Sequence, residues 1–378
     1  MPLRFVSAGA AHGVVAALAA KHAIGVDGSF GAVGAMREKF LAGEECDIVI
    51  LSDAQIAELA SAGRVRADTA GDLGAVATSI AVRAADPAPF VSDEASLRAA
   101  LVAADAIYFP DPTKATAGIH FAGVLARLGL EAALADRVKT FPNGATAMRA
   151  MAGASGRPIG CTQATEIVAT PGVRLVAPLP KGFDLETVYT AAVADRAERP
   201  QAARRFVETL TGESSRPLRA AAGFRGHAIR VASPSDTQAI REVVRVVLAE
   251  YGLAPDPAGT DGDLGDIAAS YFARGGLFDV VMADDGRVVG CCGVYRVDDT
   301  TCELRKMYVL GEARGQGLGA RLLRRAIAFA RGRGFRRMEL ETASLLKVAI
   351  GLYERSGFRP AARSHLASRC DQGYALDL

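Results

Sequence analysis

The pattern with the clearest chemical meaning is a glycine-rich stretch from Arg314 to Ala320, with the sequence RGQGLGA. It follows a predicted strand and directly precedes a predicted helix, whose apolar residues recur at helical spacing from Leu322 to Ala330. Glycines at such a junction let backbone N–H groups approach an anion, the helix dipole adds partial positive charge, and Arg314 adds a full one. This combination favours a pyrophosphate as ligand.

Two other phosphate-binding motifs do not fit the stretch. A Walker loop requires Lys and then Ser or Thr after its last glycine, whereas Gly319 is followed by Ala320. A Rossmann fingerprint requires a strand that begins a parallel β-α-β unit, with an acidic residue about 20 positions later. The strand before Arg314 instead ends a run of hairpin-linked strands. A tight turn without a ligand is the alternative interpretation of the glycines.

The elements that would position this stretch are one helix and three strands. Ser233 to Asp236 combines a capping serine, a proline and an acidic residue, which predicts a helix start, and Gly252 predicts its end. Phe278–Met282 and Val288–Val294 predict two strands joined by a tight turn, and Cys302–Val309 predicts the next strand. Consecutive hairpin-linked strands indicate an antiparallel sheet.

Three segments in this order resemble the GNAT superfamily of N-acetyltransferases, namely Glu303–Val309, Arg314–Gly319 and Ala349–Phe358. The resemblance covers about residues 227–378 and implies a mixed, mostly antiparallel α+β acyl-CoA N-acyltransferase domain. It implies acetyl-CoA as the acyl donor and a small-molecule amine as the acceptor. It also implies a V-shaped split between the fourth and fifth strands of the domain, in which the acyl donor binds.

The resemblance assigns the acetyl-CoA contacts to two stretches of backbone. Amides from Gln316 to Ala320 would bind the pyrophosphate, and the backbone from Met307 to Val309 would pair with the pantetheine arm. The expected cofactor-binding residues are Met307, Tyr308, Val309, Arg314, Gly315, Gln316, Gly317, Leu318, Gly319 and Ala320. One position departs from the family, because Leu346 stands where many relatives carry Asn.

Acyl transfer to an amine requires a base for the ammonium proton, a donor for the oxyanion and an acid for the departing thiolate. Glu303 is the candidate base, with a solvated edge carboxylate as the alternative interpretation. A backbone amide near Tyr308 or Val309 would stabilise the oxyanion. Tyr353 stands where the family commonly places the acid, and a packed core tyrosine is its alternative. Candidates for the acceptor pocket are Tyr251, Tyr271, Tyr295 and residues 369–372.

Residues 1–225 alternate short apolar strands and helices, as is typical of a parallel sheet covered by helices. Small residues recur in turns before predicted helices, at 7–10, 31–34, 114–118 and 162–165. Several such turns around one cleft would offer N–H and hydroxyl groups to an anion, and ordinary helix caps are the alternative. The candidate ligand-binding residues are Ser7, Ala10, Ala32, Val33, Thr116, Ala117, Asn143 and Thr162.

The order of elements, with the segments Gly43–Ser52 and Asn143–Met148, resembles the type II periplasmic-binding fold over about residues 3–224. The nearest family is the molybdate-binding component of ABC transporters. The resemblance implies one lobe of about residues 1–79 and 185–225, a second lobe of about 80–184, and a small ligand between them, for which an anion is one candidate. Relatives use serines where this chain has Ala10 and Val33, so molybdate is not the expected ligand.

Composition excludes several other classes. The chain has 378 residues, with 44 basic and 42 acidic side chains and a net charge of +2, so we expect no nucleic-acid partner. No window has the roughly 20 apolar residues of a membrane helix, so we expect no membrane partner. Six cysteines without CxxC spacing and five histidines without HxxxH spacing predict reduced thiols and no metal. The first ten residues lack the pattern of a signal peptide, which predicts a cytoplasmic protein.

The fold class expected is therefore α/β: a two-lobed binding-protein-like domain over residues 1–225, followed by an acyl-CoA N-acyltransferase domain over 227–378. The expected function is acetyl-CoA-dependent N-acetylation of an amine, in a chain that also binds a small ligand. Two alternatives remain open from the sequence. One is a non-catalytic ligand-sensing regulator that binds acyl-CoA, and the other is a soluble oxyanion-binding protein.

Overall fold

The computed structural model describes residues 1–362 and 366–378. Its contacts group into two compact units. The first unit contains Met1–Gln55 and Asp72–Gly226, and the second contains Ile56–Gly71 and His227–Leu378. The change of unit at Gly226 lies directly before a new strand.

Residues 1–226 contain nine strands and ten α-helices of the described chain. The strands are β1 (Leu3–Ala8), β2 (Val26–Gly31), β3 (Ile48–Ser52), β4 (Val65–Arg83), β5 (Ile107–Pro110), β6 (Val138–Phe141), β7 (Ile159–Gln163), β8 (Val173–Pro178) and β9 (Glu186–Ala194). The α-helices are α1 (His12–Lys21), α2 (Val33–Leu41), α3 (Asp53–Ser61), α4 (Glu94–Ala103), α5 (Thr116–Arg127), α6 (Glu131–Leu134), α7 (Gly144–Ala152), α8 (Ala164–Val168), α9 (Pro200–Thr211) and α10 (Arg216–Ala221).

These strands form a mixed sheet in the order β2-β1-β3-β9-β4-β7-β5-β6, with β8 paired to β4. Parallel pairs join β1 to β2 and β3, and β5 to β6 and β7, as the alternating pattern predicts. The central pairs, β3 with β9 and β4 with β7, are antiparallel. The expectation of a parallel sheet therefore does not hold at the centre, because β9 is antiparallel to β3 and β4 is antiparallel to β7.

The rest of the chain adds seven strands and three α-helices within the described residues. The strands are β10 (Ala228–Val231), β11 (Leu277–Met282), β12 (Val288–Arg296), β13 (Thr301–Val309), β14 (Arg337–Thr342), β15 (Arg359–Pro360) and β16 (Gln372–Asp377). The helices are α11 (Thr237–Glu250), α12 (Leu318–Gly332) and α13 (Lys347–Arg355). A π-helical turn covers Ala268–Phe272.

The second sheet has the order β10-β11-β12-β13-β14-β16-β15. Every pair in it is antiparallel except β13 with β14, which is parallel. The predicted antiparallel meander is confirmed, and the predicted turn at Asp284–Arg287 closes with the Ala283 N–H donating to the Arg287 carbonyl at 2.8 Å. The glycine-rich stretch therefore begins where β13 ends.

The two faces of this sheet are covered by different helices. The α12 side chains Leu322, Leu323 and Phe329 pack in the core cluster that also holds Cys292. Those of α11 pack in a cluster that holds Cys291. The adjacent cysteines thus point to opposite faces, as expected for neighbours on a strand. Complete burial of a side chain such as Phe329 stabilises the fold by about 1.5–3 kcal/mol.

Candidate functional site

The parallel strands β13 and β14 separate partway along their length. Their registered pairs run from Thr301–Arg337 to Leu304–Leu340, whereas β13 continues to Val309. The register between β12 and β13 shifts just beyond this point, and Lys306 has a positive φ of 54°. A bulge of this kind bends a strand away from its neighbour. The split predicted between the two strands is therefore present.

A cavity of about 1030 Å³ extends from the split to the glycine-rich stretch. Its walls come from β13, the end of β14, the start of α12, the helix α13 and residues 367–370. The structure brings most of the predicted residues of this site together. Lining residues among them are Glu303, Met307, Tyr308, Val309, Arg314, Gly315, Gly317, Leu318, Gly319, Ala320 and Tyr353. Gln316 does not line the cavity, although it lies within the same bend.

The bend at residues 314–317 prepares the N-terminus of α12 to bind an anion. Gly315 and Gly317 have φ values of 78° and 74°, a left-handed conformation that side chains with a Cβ rarely adopt. The first intrahelical bond after the bend runs from the Arg321 N–H to the Gly317 carbonyl at 3.1 Å. The N–H groups of residues 318–320 precede that bond, so helix geometry leaves them without intrahelical partners. Together with the helix dipole, these groups fit a phosphate ester.

Arg314 fixes the position of this bend. Its Nε donates to the Val309 carbonyl at 2.8 Å, and its guanidinium forms an ion pair with Glu250 at 2.6 Å. Glu250 lies at the end of α11, so the bend is tied to both β13 and α11. Because Glu250 shares the charge of Arg314, the arginine adds less positive potential to the cavity than a free cation would.

The candidate base, Glu303, is buried in the cavity wall near the start of β13 and is 7 % exposed. Arg305 donates to its carboxylate at 3.0 Å. Arg305 also lies 4.0 Å above the ring of Tyr295, on the same face of the sheet. The interpretation of Glu303 as a solvated edge carboxylate is therefore wrong, because the side chain is enclosed and ion-paired.

The candidate acid, Tyr353, lies on α13 and lines the cavity while being only 6 % exposed. Burial raises the pKa of its hydroxyl. The phenol therefore remains protonated at neutral pH, as a proton donor must. Its ring also packs near Phe358, at 5.9 Å between centroids. The residue thus belongs both to the core and to the cavity wall.

A buried ionic cluster beside the cavity was not apparent from the sequence. Lys306 Nζ lies 2.9 Å from Asp261 and donates to the Thr260 carbonyl at 2.6 Å. Arg369 holds the same aspartate with two bonds of 2.6 and 2.7 Å. Burial alone would raise the pKa of Asp261, but the bonds from Arg369, the Asp256 backbone and Lys306 lower it to about 2. These residues are far apart in sequence, and no motif links them.

Of the residues predicted for the acceptor pocket, some line the cavity and others lie in the core. Tyr251, Arg369 and Cys370 line the cavity. Tyr271 is fully buried and donates its hydroxyl to Asp263 at 2.6 Å, so it belongs to the core. A carboxylate that the sequence analysis missed, Glu341 on β14, also lines the cavity and accepts the Ala367 N–H at 2.8 Å.

In the first unit, most of the predicted ligand-binding residues surround one small space of about 20 Å³. The lining residues among them are Ala10, Ala32, Val33, Thr116, Ala117 and Asn143. Ser7 is fully buried, and its hydroxyl donates to the Ala8 carbonyl at 3.0 Å. Thr162 donates instead to Glu166 at 2.6 Å. Glu166 lines the space itself, and sequence reasoning overlooked it.

Within residues 1–362 and 366–378, no group of three or more His, Cys, Asp or Glu residues has the arrangement of a metal site. No single helix of the described chain has the length and apolar character of a membrane span, whereas one pair bent by 114°, residues 116–127 and 131–137, passes that test jointly.

The split strands, the glycine bend and the large cavity define the second unit as an acyl-CoA-type N-acyltransferase domain, and the first unit has the mixed sheet of a binding protein. Residues 3–225 match the family of bacterial extracellular solute-binding proteins, and residues 247–358 match the GNAT acetyltransferase family. The chain belongs to both families, with a solute-binding domain fused to a GNAT acetyltransferase domain. Both predicted resemblances are confirmed.

Individual relatives fall into the same two groups. The uncharacterised N-acetyltransferase YjgM of Escherichia coli is 42 % identical over 128 residues, which are 32 % of this chain and 76 % of YjgM. An aconitate isomerase of a Pseudomonas species is 24 % identical over 173 residues, 46 % of this chain and 64 % of the isomerase. A periplasmic molybdate-binding protein of Azotobacter vinelandii is similar in structure, with a TM-score of 0.49, 18 % identity and coverage of 59 % of this chain and 98 % of that one.

Proposed function

We propose that this protein transfers an acetyl group from acetyl-CoA to a small-molecule amine, and that its first domain binds a small ligand. The observation that carries the proposal is the glycine bend at the N-terminus of α12, which opens into the same cavity as the split between β13 and β14. An adenine nucleotide thioester needs both a phosphate site and an extended slot for its arm. This cavity offers them in that order.

Acetyl-CoA would supply the activated acyl group, and residues of this chain would hold it. The N–H groups from Gly317 to Ala320, which line the cavity, would bind the pyrophosphate, with Arg314 keeping the bend in place. The backbone from Met307 to Val309, which extends beyond the last pair of β13 with β14, would pair with the pantetheine arm. Edge strands readily accept such an added extended chain.

Three groups of the chain would perform the transfer. Glu303 accepts the ammonium proton through water, and the amine nitrogen then bonds to the thioester carbonyl carbon. A backbone N–H near Tyr308 or Val309 donates to the carbonyl oxygen as it becomes negative. Tyr353 donates a proton to the sulfur as the carbon–sulfur bond breaks. The nitrogen loses its second proton to water, which returns a proton to Tyr353, and Glu303 releases the first proton to solvent, so the products are an amide and a free thiol.

The test is calorimetry with acetyl-CoA on the full chain, followed by a thiol-release assay across a panel of small amines. We expect acetyl-CoA to bind, and at least one amine to release thiol. The variants Tyr353→Phe and Glu303→Gln should each lower kcat by roughly 10²-fold, the lower end for a general acid or base. Tyr108→Phe, which lies in the first unit, is the matched control and should leave kcat unchanged.

Three outcomes would contradict parts of this proposal. A folded protein that does not bind acetyl-CoA would contradict the proposed acetyltransferase activity. Unchanged turnover in both variants would contradict the roles of Glu303 as base and Tyr353 as acid. Acetyl-CoA binding without turnover on any amine favours the alternative of a non-catalytic regulator that binds acyl-CoA.

A further inference from the structure

The space in the first unit lies where the N-termini of several helices converge. It is lined by the turn before α1 and by the starts of α2, α5 and α7. The Gly34 N–H donates to the Lys114 carbonyl at 3.1 Å, and Lys114 pairs with Glu38 at 2.9 Å, so the starts of α2 and α5 are bonded to each other. The volume of about 20 Å³ is sufficient for about one water molecule and is too small for a tetrahedral oxyanion.

The carboxylate of Glu166 already occupies the position in which an anion would meet these helices. Thr162 donates its hydroxyl to Glu166 Oε2 at 2.6 Å. The carboxylate lies against the start of α7, where a Cβ atom on Gly144 would be 2.0 Å from Glu166 Oε2. In an anion-binding cleft the first N–H groups of such a helix would bind the ligand. An internal side chain therefore takes the role of the ligand anion.

Glycines on both sides of the cleft allow this carboxylate to approach the backbone closely. A Cβ atom on Gly144 would lie 2.0 Å from Glu166 Oε2, and a Cβ atom on Gly9 would lie 2.9 Å from Oε1. The same Cβ atom on Gly144 would also lie 2.0 Å from the Thr162 hydroxyl oxygen. Any larger residue at Gly144 would therefore displace both the carboxylate and its hydrogen-bond donor. The backbone is thus shaped around Glu166.

A second observation concerns Gln163, which lines the same space and is 3 % exposed. Its Oε1 atom has no hydrogen-bond partner within the described residues. A buried carbonyl oxygen without a partner is costly unless a ligand or water donates to it. The cleft therefore presents two acceptors, this oxygen and the Glu166 carboxylate, rather than donors alone.

We propose that Glu166 determines the specificity of the first unit: its carboxylate fills the anion position, so that the cleft rejects fully ionised oxyanions and admits only a ligand that donates a hydrogen bond to it. Sulfate and molybdate at neutral pH have oxygen acceptors but no proton to share. Beside Glu166 they would meet an oxygen acceptor where they need a donor, and the space of about 20 Å³ would leave no room for their own oxygens. Removal of this side chain should therefore create an oxyanion site.

The test is calorimetric titration of sulfate and molybdate into the full chain at pH 7. We expect no measurable binding to the parent protein. Glu166→Ala should bind at least one of the two anions, with a Kd at least about tenfold below the weakest Kd that the parent titration could detect. The control Glu208→Ala removes the same charge from an exposed position on α9 and should behave as the parent does. A melting curve for each variant establishes that it is folded.

Several results would overturn the proposal. A folded Glu166→Ala protein that still binds neither anion would show that Glu166 is not what excludes them. Equal gains in Glu166→Ala and Glu208→Ala would assign the effect to net charge. If Glu166→Ala does not fold, the titration of the parent protein still tests the proposal. Sub-millimolar binding of either anion to the parent would contradict an anion position already filled by Glu166, and the absence of such binding would support it.

Discussion

Replacement of Gly317 by alanine tests the feature on which the acetyltransferase proposal depends. Gly317 has a φ of 74° and precedes the first helical N–H groups of α12. A methyl group placed there meets no protein atom within 4 Å, so the cost within the protein is backbone strain alone. For an L-residue in this region the strain is about 1–2 kcal/mol. The variant should therefore fold, with a modest loss of stability.

The effect on acetyl-CoA binding follows from what the strain does to the bend. When the substituted residue relaxes toward a right-handed conformation, the N–H groups of residues 318–320 turn away from the phosphates. A hydrogen bond to a charged group contributes about 1.5–3 kcal/mol, and about 1.4 kcal/mol corresponds to tenfold in affinity. Loss of one such bond should therefore raise the Kd for acetyl-CoA about tenfold, as measured by calorimetry.

Gly334 offers a matched control within the same unit. It has a φ of 83°, a methyl group there also meets nothing within 4 Å, and it follows the other end of α12, outside the cavity lining. Gly334→Ala should lose a similar amount of stability while binding acetyl-CoA like the parent. Equal affinities for Gly317→Ala and the parent would refute the assignment of the bend to the pyrophosphate. Equal weakening in both glycine variants would assign the effect to stability.

Further predictions concern the buried ionic cluster and the cavity wall. In thermal melts, Asp261→Asn should lower the free energy of unfolding by about 3 kcal/mol, because Lys306 and Arg369 lose their shared anion. The control Asp266→Asn lies at an exposed position and can still cap its helical turn, so it should change the free energy of unfolding little. The free energy of unfolding of the parent should fall by about 2 kcal/mol in acid, because the pKa of Asp261 is about 2 in the folded protein against an ordinary 3.8. This stabilisation is complete above pH 3.8 and disappears as the pH falls through 2. Urea unfolding at a series of pH values measures it. Leu346→Asn should lower the KM for acetyl-CoA about threefold by adding a hydrogen bond at the cavity wall, and an unchanged KM would show that the arm does not pass this residue.

The second unit was largely predictable because its signals are local. Strand alternation, the turn at Asp284–Arg287 and the Ser233–Asp236 cap each specify structure through neighbours in the sequence. The capping pair is present, with Asp236 accepting the Ser233 N–H at 2.7 Å. The glycines of the bend also act locally, since a positive φ is a property of single residues. For this reason the cavity wall matches the predicted residues closely.

The residues that were missed act over long sequence separations. Asp261 meets Arg369, a predicted pocket residue, across 108 positions, and Asp261 itself stands in no recognisable motif. Glu166 is a similar case, because its environment comes from α7 and from β7, and a glutamate at a helix start is usually an ordinary first-turn acid. In the first unit the antiparallel course of β4 and β9 was missed for the same reason. Apolar runs identify strands, but their direction depends on the whole topology.

The distribution of the thiols has a practical consequence for measuring this protein. Five cysteines are buried, and only Cys370 is half-exposed, beside the cavity. Burial raises the pKa of its thiol to about 11, so little thiolate is present at neutral pH and its alkylation should be slow. A colorimetric reagent for free sulfhydryls should therefore see little background from the folded chain. The residual labelling of Cys370, followed by mass spectrometry, should report directly whether a nucleotide shields that wall.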